Sequence, residues 1–198
     1  MHRQVASLLS TSSPGRLAKL GNALGKRNIN IDTTGGAEWL HSGPVTLIIK
    51  DDWGKNPGDE LSGFADVMAE EEFPWLAFRT IEIQLDDRPG ELGRAASALG
   101  DADINIYAVT VLKSDGRKAH LGLGVRPSKV GEAVDALQRA NFVVKPRHHP
   151  KDPPFDPNDP DSWWDEWDTR TETLLDWHEA NPDTPPNHPN FYRRQTAD

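Results

Sequence analysis

His148, His149, His178 and His188 are the first side chains to consider as metal ligands. Adjacent histidines do not readily share one tetrahedral ion, no histidine pair stands at i, i+4, and there is no cysteine to complete a set. No metal is expected. The lack of cysteine also removes thiolate catalysis and any disulfide framework. No Gly-x-Ser-x-Gly, P-loop or His-Glu-x-x-His pattern is present. Gly21 to Gly25 and Gly122 to Gly124 lack the strand, glycine-rich turn and helix that a dinucleotide needs, so no cofactor is expected either. Carboxylates are plentiful, yet none forms a convincing general-acid/base pair. The chain reads as non-enzymatic, and its chemistry has to be sought in binding.

Charge narrows the choice of partner. The formal charge is −9, and from His148 onward 12 acidic and 4 basic residues account for −8 of it. The preceding body is close to neutral and has no basic cluster, which argues against a nucleic-acid partner. No apolar run approaches the roughly 20 residues that span a bilayer, so no membrane association is expected. The apolar stretch at Val5 to Leu9 is too short for a signal-peptide centre, and a cytoplasmic location is the default expectation. Hydrophobic residues make up 36% of the chain, low for a packed domain, so part of it is expected to lie outside any core.

An internal repeat supplies the organisation. Pro14-Gly15, Leu17, Ala23-Leu24-Gly25 and Ile29-Asn30-Ile31 recur as Pro89-Gly90, Leu92, Ala98-Leu99-Gly100 and Ile104-Asn105-Ile106 at a constant offset of 75 residues. In the second copy Ile81, Ile83 and Leu85 alternate with Glu82, Gln84 and Asp86, the period of a half-buried strand. Asp87-Arg88-Pro89-Gly90 breaks the strand, and Leu92, Ala95, Ala96 and Leu99 mark a helix that Gly100 is expected to stop. Ile104 to Leu112 reads as a strand, Ser114-Asp115-Gly116 as a hairpin turn, and Leu121, Leu123 and Val125 as the returning strand. A helix from Ser128 and a last strand at Phe142-Val143-Val144 complete the copy. The first copy repeats the order, with helices bearing Leu17, Leu20 and Leu24, then Leu61, Phe64, Ala65 and Met68, and a closing strand at Trp75 to Phe78. The expected fold class is α+β: two ferredoxin-like βαββαβ modules with antiparallel sheets, at residues 1–78 and 79–147, and an acidic tail at 148–198.

Asp87-Arg88-Pro89-Gly90-Glu91-Leu92 followed by Ala102-Asp103-Ile104-Asn105-Ile106 resembles an ACT domain, and Ser13-Pro14-Gly15-Arg16-Leu17 through Asn28-Ile29-Asn30-Ile31 resembles another. The resemblance runs from about Met1 to Lys145 and stops at the tail. It implies a regulatory protein that binds a small ligand, most often an amino acid, where a β1–α1 loop meets a neighbouring module, and that pairs side by side as a homodimer. Carried onto this sequence, the ligand contacts would be Asp87, Arg88, Gly90 and Asn105 in the second copy, and Ser12, Ser13, Gly15 and Asn30 in the first. Glycine at a helix start leaves backbone N–H groups open to a carboxylate. Asp87 would balance an ammonium group, and each asparagine offers an acceptor and two donors. Ser12 stands where the second copy has Asp87, so the first site is expected to differ in strength or specificity. The plainer alternatives stay open: Pro-Gly as a helix-starting device, the asparagines as backbone caps, and Asp87-Arg88 as a solvated turn.

After Lys145 the composition changes. Pro150, Pro153, Pro154, Pro157 and Pro160 among aspartates read as an extended linker. A short helix is then expected from Ser162, with Trp163, Trp167, Leu174 and Trp177 near one stripe and Asn181-Pro182 as its end. Either it docks on its own chain or a dimer mate, or Trp163, Trp164, Trp167 and Trp177 engage a protein partner. A scaffold whose modules only dimerise while the tail binds a partner is the alternative to the ligand-binding regulator.

Overall fold

The computed structural model describes residues 3–10, 14–36, 42–49, 59–73, 75–145 and 166–181. In chain order these form β1 (Arg3–Ser10), α1 (Arg16–Lys26), β2 (Ile31–Gly36), β3 (Ser42–Ile49), α2 (Asp59–Glu70), β4 (Trp75–Asp86), α3 (Glu91–Gly100), β5 (Ala108–Ser114), β6 (Lys118–Val125), α4 (Val130–Arg139), β7 (Val143–Lys145) and α5 (Glu166–Ala180). Seven strands are described, where two complete modules would show eight. The reason is local: Trp75 to Asp86 contains no glycine or proline, so the expected closing strand of the first repeat and opening strand of the second run on as one 12-residue strand. The chain divides into two compact units, one holding described residues 5–76 and 173–181, the other residues 3–4 and 77–172.

In the first unit β3 lies between β2 and β1. β2 pairs antiparallel with β3 from Ile31↔Ile49 to Gly36↔Val45, with a bulge between Ile31 and Thr33. Leu20 and Leu24 of α1, Leu47 and Ile48 of β3, and Phe64, Val67 and Met68 of α2 are all buried. Phe64 meets Trp75 edge-on at 5.2 Å.

The second unit has its strands in the order β5-β6-β4-β7, all antiparallel. β4 pairs with β6 from Arg79↔Val125 to Asp86↔Lys118. Ile81, Ile83 and Leu85 meet Leu121, Leu123, Ala95, Leu99, Val134 and Leu137 in one core. The alternate positions of β4 were expected to face solvent, yet Thr80 and Glu82 are buried as well. On this second face His120 Nδ1 lies 2.9 Å from Glu82 Oε1.

One device ends four helices. Asn28, Glu72, Asp103 and Asn141 all have φ between 57° and 63°. The next residue in each case bonds back five positions: Ile29 N to Leu24 O (3.0 Å), Phe73 N to Met68 O (2.8 Å), Ile104 N to Leu99 O (2.9 Å) and Phe142 N to Leu137 O (3.0 Å). Gly100 therefore does not stop α3 as expected. It is the last helical residue, and Asp103 takes the left-handed position that short polar side chains tolerate. The chain then runs without strand structure until Ala108, so the second strand of this copy starts later than Ile104.

The tail helix α5 lies against its own chain. Thr171, with 1% of its surface exposed, donates its hydroxyl to the Ala77 carbonyl at 2.7 Å. Glu172 accepts from the Ser128 amide at 2.8 Å and faces Arg126 at 3.4 Å. Leu174 and Leu175 are buried and Trp177 is half-buried, with Asn181 closing the helix by donating to the Trp177 carbonyl at 2.7 Å. Ser162, Trp163, Trp164 and the side chain of Trp167 lie outside the described residues.

Candidate functional site: the β–α turns and an arginine–glutamate cluster

The two turns singled out by the repeat share one backbone conformation. Gly15 has φ 97° and ψ −8°, Gly90 has φ 93° and ψ −16°, and neither helix start is capped by a side chain. That region is costly for residues with a Cβ, which is why glycine stands at both positions. Each glycine carbonyl opens the helical ladder, accepting from Lys19 N at 2.8 Å and from Arg94 N at 2.9 Å. The amides before those donors, at Leu17 and Ala18 and at Leu92 and Gly93, precede the ladder and are available to an acceptor from outside. Both glycines are exposed.

In the second copy the β5–β6 hairpin supports the turn. Asp87 N donates to Arg117 O at 2.9 Å. Asp87 Oδ2 accepts from the Ser114 hydroxyl at 2.9 Å. Asp115 shapes the hairpin by accepting from the Arg117 and Lys118 amides at 2.9 and 2.8 Å. Those two bonds favour its ionised form and hold its carboxyl below the usual range. Lys118, hydrogen-bonded to Asp86, lowers that carboxyl likewise.

Glu91 is the residue of the turn that sequence reasoning missed. Its side chain is 7% exposed and lies between two arginines. Arg88 donates from Nε (3.0 Å) and Nη2 (2.8 Å) to Oε1. Arg94 donates from Nη2 to Oε2 at 2.7 Å. These bonds, Arg94's first and then Arg88's, keep the Glu91 carboxyl below its ordinary range, and Glu91 in turn raises Arg88. Arg94 also donates from Nη1 to the Ala140 carbonyl at 2.6 Å and stacks its guanidinium 3.9 Å above the Phe142 ring. The available signal was spacing: Arg88, Glu91 and Arg94 stand three apart, the interval at which side chains meet across a helix start.

Asn105 does not join this group. Ten helical residues separate Gly90 from the end of α3, about 15 Å at a rise of roughly 1.5 Å per residue. The register agrees: Tyr107 N bonds to Gly124 O, and Gly124 pairs with Thr80, whereas the turn follows Asp86 at the far end of β4. Asn105 and Asn30 are exposed, each just ahead of a strand. One module thus places its turn and its asparagine at opposite ends. Ser12 and Ser13 lie outside the described residues. The first copy also reverses charge at the matched position, where Arg16 replaces Glu91 and lies 4.6 Å from the Phe73 ring.

Among the described residues no group of three His, Cys, Asp or Glu side chains could hold a metal ion. No described helix is long and apolar enough to cross a membrane. His148, His149 and His188 lie outside the described residues, as does the side chain of His178.

No family model matches the sequence, and no curated protein matches it. Solved structures do. Protein BT0572 from Bacteroides thetaiotaomicron is 17% identical, with a TM-score of 0.53 over 72% of this chain and 90% of that one. The regulatory subunit of aspartate kinase from Thermus thermophilus is 17% identical, with a TM-score of 0.48 over 70% and 91%. Its counterpart from Thermus flavus is 18% identical, with a TM-score of 0.49 over 71% and 92%. At such identities a likeness concerns fold alone. Register, strand order and that first likeness together make this an α+β protein on the antiparallel, split βαβ plan.

Proposed function

We propose that this chain is a non-catalytic regulatory protein that binds a small zwitterion, an amino acid, at the β–α turns of tandem ACT-like modules. The observation that carries the reading is the duplicated turn: Gly15 and Gly90 share one left-handed conformation at two uncapped, exposed helix starts. Such a start favours a carboxylate through its unpaired amides and the positive end of the helix dipole. Asp87 is exposed beside the second turn and suits the ammonium group. Since Asn105 sits at the other end of its module, the pocket is completed when a turn meets the asparagine end of a module in a second copy of the chain. The edge strand β5 suits such pairing, because Val109 and Val111 on it are 43% and 58% exposed.

Thermal melting against the standard amino acids tests this. A ligand at a hundredfold over its dissociation constant adds about 2.7 kcal/mol, or several degrees for a chain of this length at roughly 2–4 °C per kcal/mol. Asp87→Ala and Asn105→Ala should each abolish the shift while leaving the unliganded melting point nearly unchanged. A flat response across the panel refutes the amino-acid reading. A flat panel together with a dimer that Val111→Lys dissociates would favour the alternative, a scaffold whose modules only dimerise.

A further inference from the structure

We infer that the Arg88–Glu91–Arg94 cluster is a carboxylate-exchange site: a ligand carboxylate takes the place of Glu91 between the two arginines, and Arg94 carries the change to the corner between α4 and β7. The inference deepens the ligand-binding reading above and rests on it for the identity of the natural ligand.

Glu91 already has the contacts an external carboxylate would seek, with three charge-assisted hydrogen bonds to its two oxygens at 2.7 to 3.0 Å. Both arginines are reachable from solvent, Arg88 being 64% and Arg94 46% exposed, whereas Glu91 is covered. The cations thus face outward while the occupying anion belongs to the protein. An incoming carboxylate would replace those bonds one for one as the Glu91 side chain swings to water. Arg94 is the shared member, since it also holds the Ala140 carbonyl and covers Phe142. β7 follows directly and pairs with β4 over three residues only, Val143 to Lys145. A change in Arg94 is therefore felt where the sheet edge is weakest. The first copy has no such occupant, because Arg16 stands at the position of Glu91 and Lys19, at that of Arg94, pairs with Glu71.

Chemical rescue tests the exchange on the full chain. Glu91→Ala opens the arginine pair, and acetate, compared with chloride at equal ionic strength, should raise its melting temperature by about 3 °C or more while moving the wild type far less. Hydrogen exchange at Phe142 to Lys145 should be faster in Glu91→Ala and slow again with acetate. Adding Arg88→Ala should remove the rescue. If acetate does no more than chloride for Glu91→Ala, the proposal is overturned. Should that variant not fold, Glu91→Gln gives the same reading: exchange at residues 142–145 must rise, and an unchanged rate overturns the relay. The probe is acetate, so rescue alongside a flat amino-acid panel would sink the amino-acid reading and leave the exchange site standing.

Discussion

Replacing Gly90 by alanine sets two opposed effects against each other at a position where space is not limiting. A Cβ built there meets nothing within 4 Å, so the cost is confined to the backbone. With φ at 93°, an L-residue loses about 1–2 kcal/mol. Against this, alanine reduces the freedom of the unfolded chain, a gain of about 0.4–1 kcal/mol. The net is a loss of about 1 kcal/mol, or roughly 2–4 °C in melting temperature. Gly21 supplies the control: it is exposed within α1, its φ is not positive, and a Cβ there also meets nothing. Gly21→Ala should stabilise by about 1 kcal/mol through helix propensity alone. Two chemically identical substitutions thus have opposite predicted signs. Urea unfolding of both variants decides the matter, and a neutral or stabilising Gly90→Ala would show that the turn is not left-handed. The same variant should lose its response to amino acids, because the added methyl stands where a ligand approaches the amides.

Thr171→Val keeps the volume of a buried side chain but removes its bond to the Ala77 carbonyl. A loss of about 1–3 kcal/mol is expected, read as earlier release of α5 by a red shift in tryptophan emission during urea titration. Leu123→Ala opens the centre of the second core, where Leu123 has no exposed surface. It should cost about 2–5 kcal/mol by urea unfolding, and a smaller loss would mean that the core closes over the gap. The pH response has a defined sign. Arg94 and then Arg88 depress the Glu91 carboxyl in the fold, so its stabilisation is present above the unfolded value of about 4.5 and fades as pH falls through the folded one. Asp86, depressed by Lys118, acts in the same sense. The stability difference between wild type and Glu91→Gln should therefore shrink from pH 6 towards pH 3; a constant difference would refute the role assigned to the arginines.

Much of the architecture was legible because it is written in short-range patterns. Alternation at Ile81, Ile83 and Leu85 marked a strand, the 75-residue offset marked the duplication, and Pro-Gly marked both helix starts. Other features were not local. Gly100 looked like a helix stop, but the choice among glycine, aspartate and asparagine for the left-handed position depends on where Ile104 must turn into the core. Glu82 looked like a solvent-facing residue, and burial on both faces of β4 cannot be read from a period of two.

The sequence by itself determined the order of elements, the two glycine turns and the neutral body with its acidic tail, since each depends on backbone conformation or composition within a few residues. Only the tertiary structure decided that Glu91 fills the space between Arg88 and Arg94, that Arg94 reaches Ala140 and Phe142, and that Asn105 lies a helix-length from the turn it was grouped with. The physical reason is distance along the chain. Contacts across 46 residues arise from the packing of α3 against α4, and no period or motif in either helix specifies which side chains then meet.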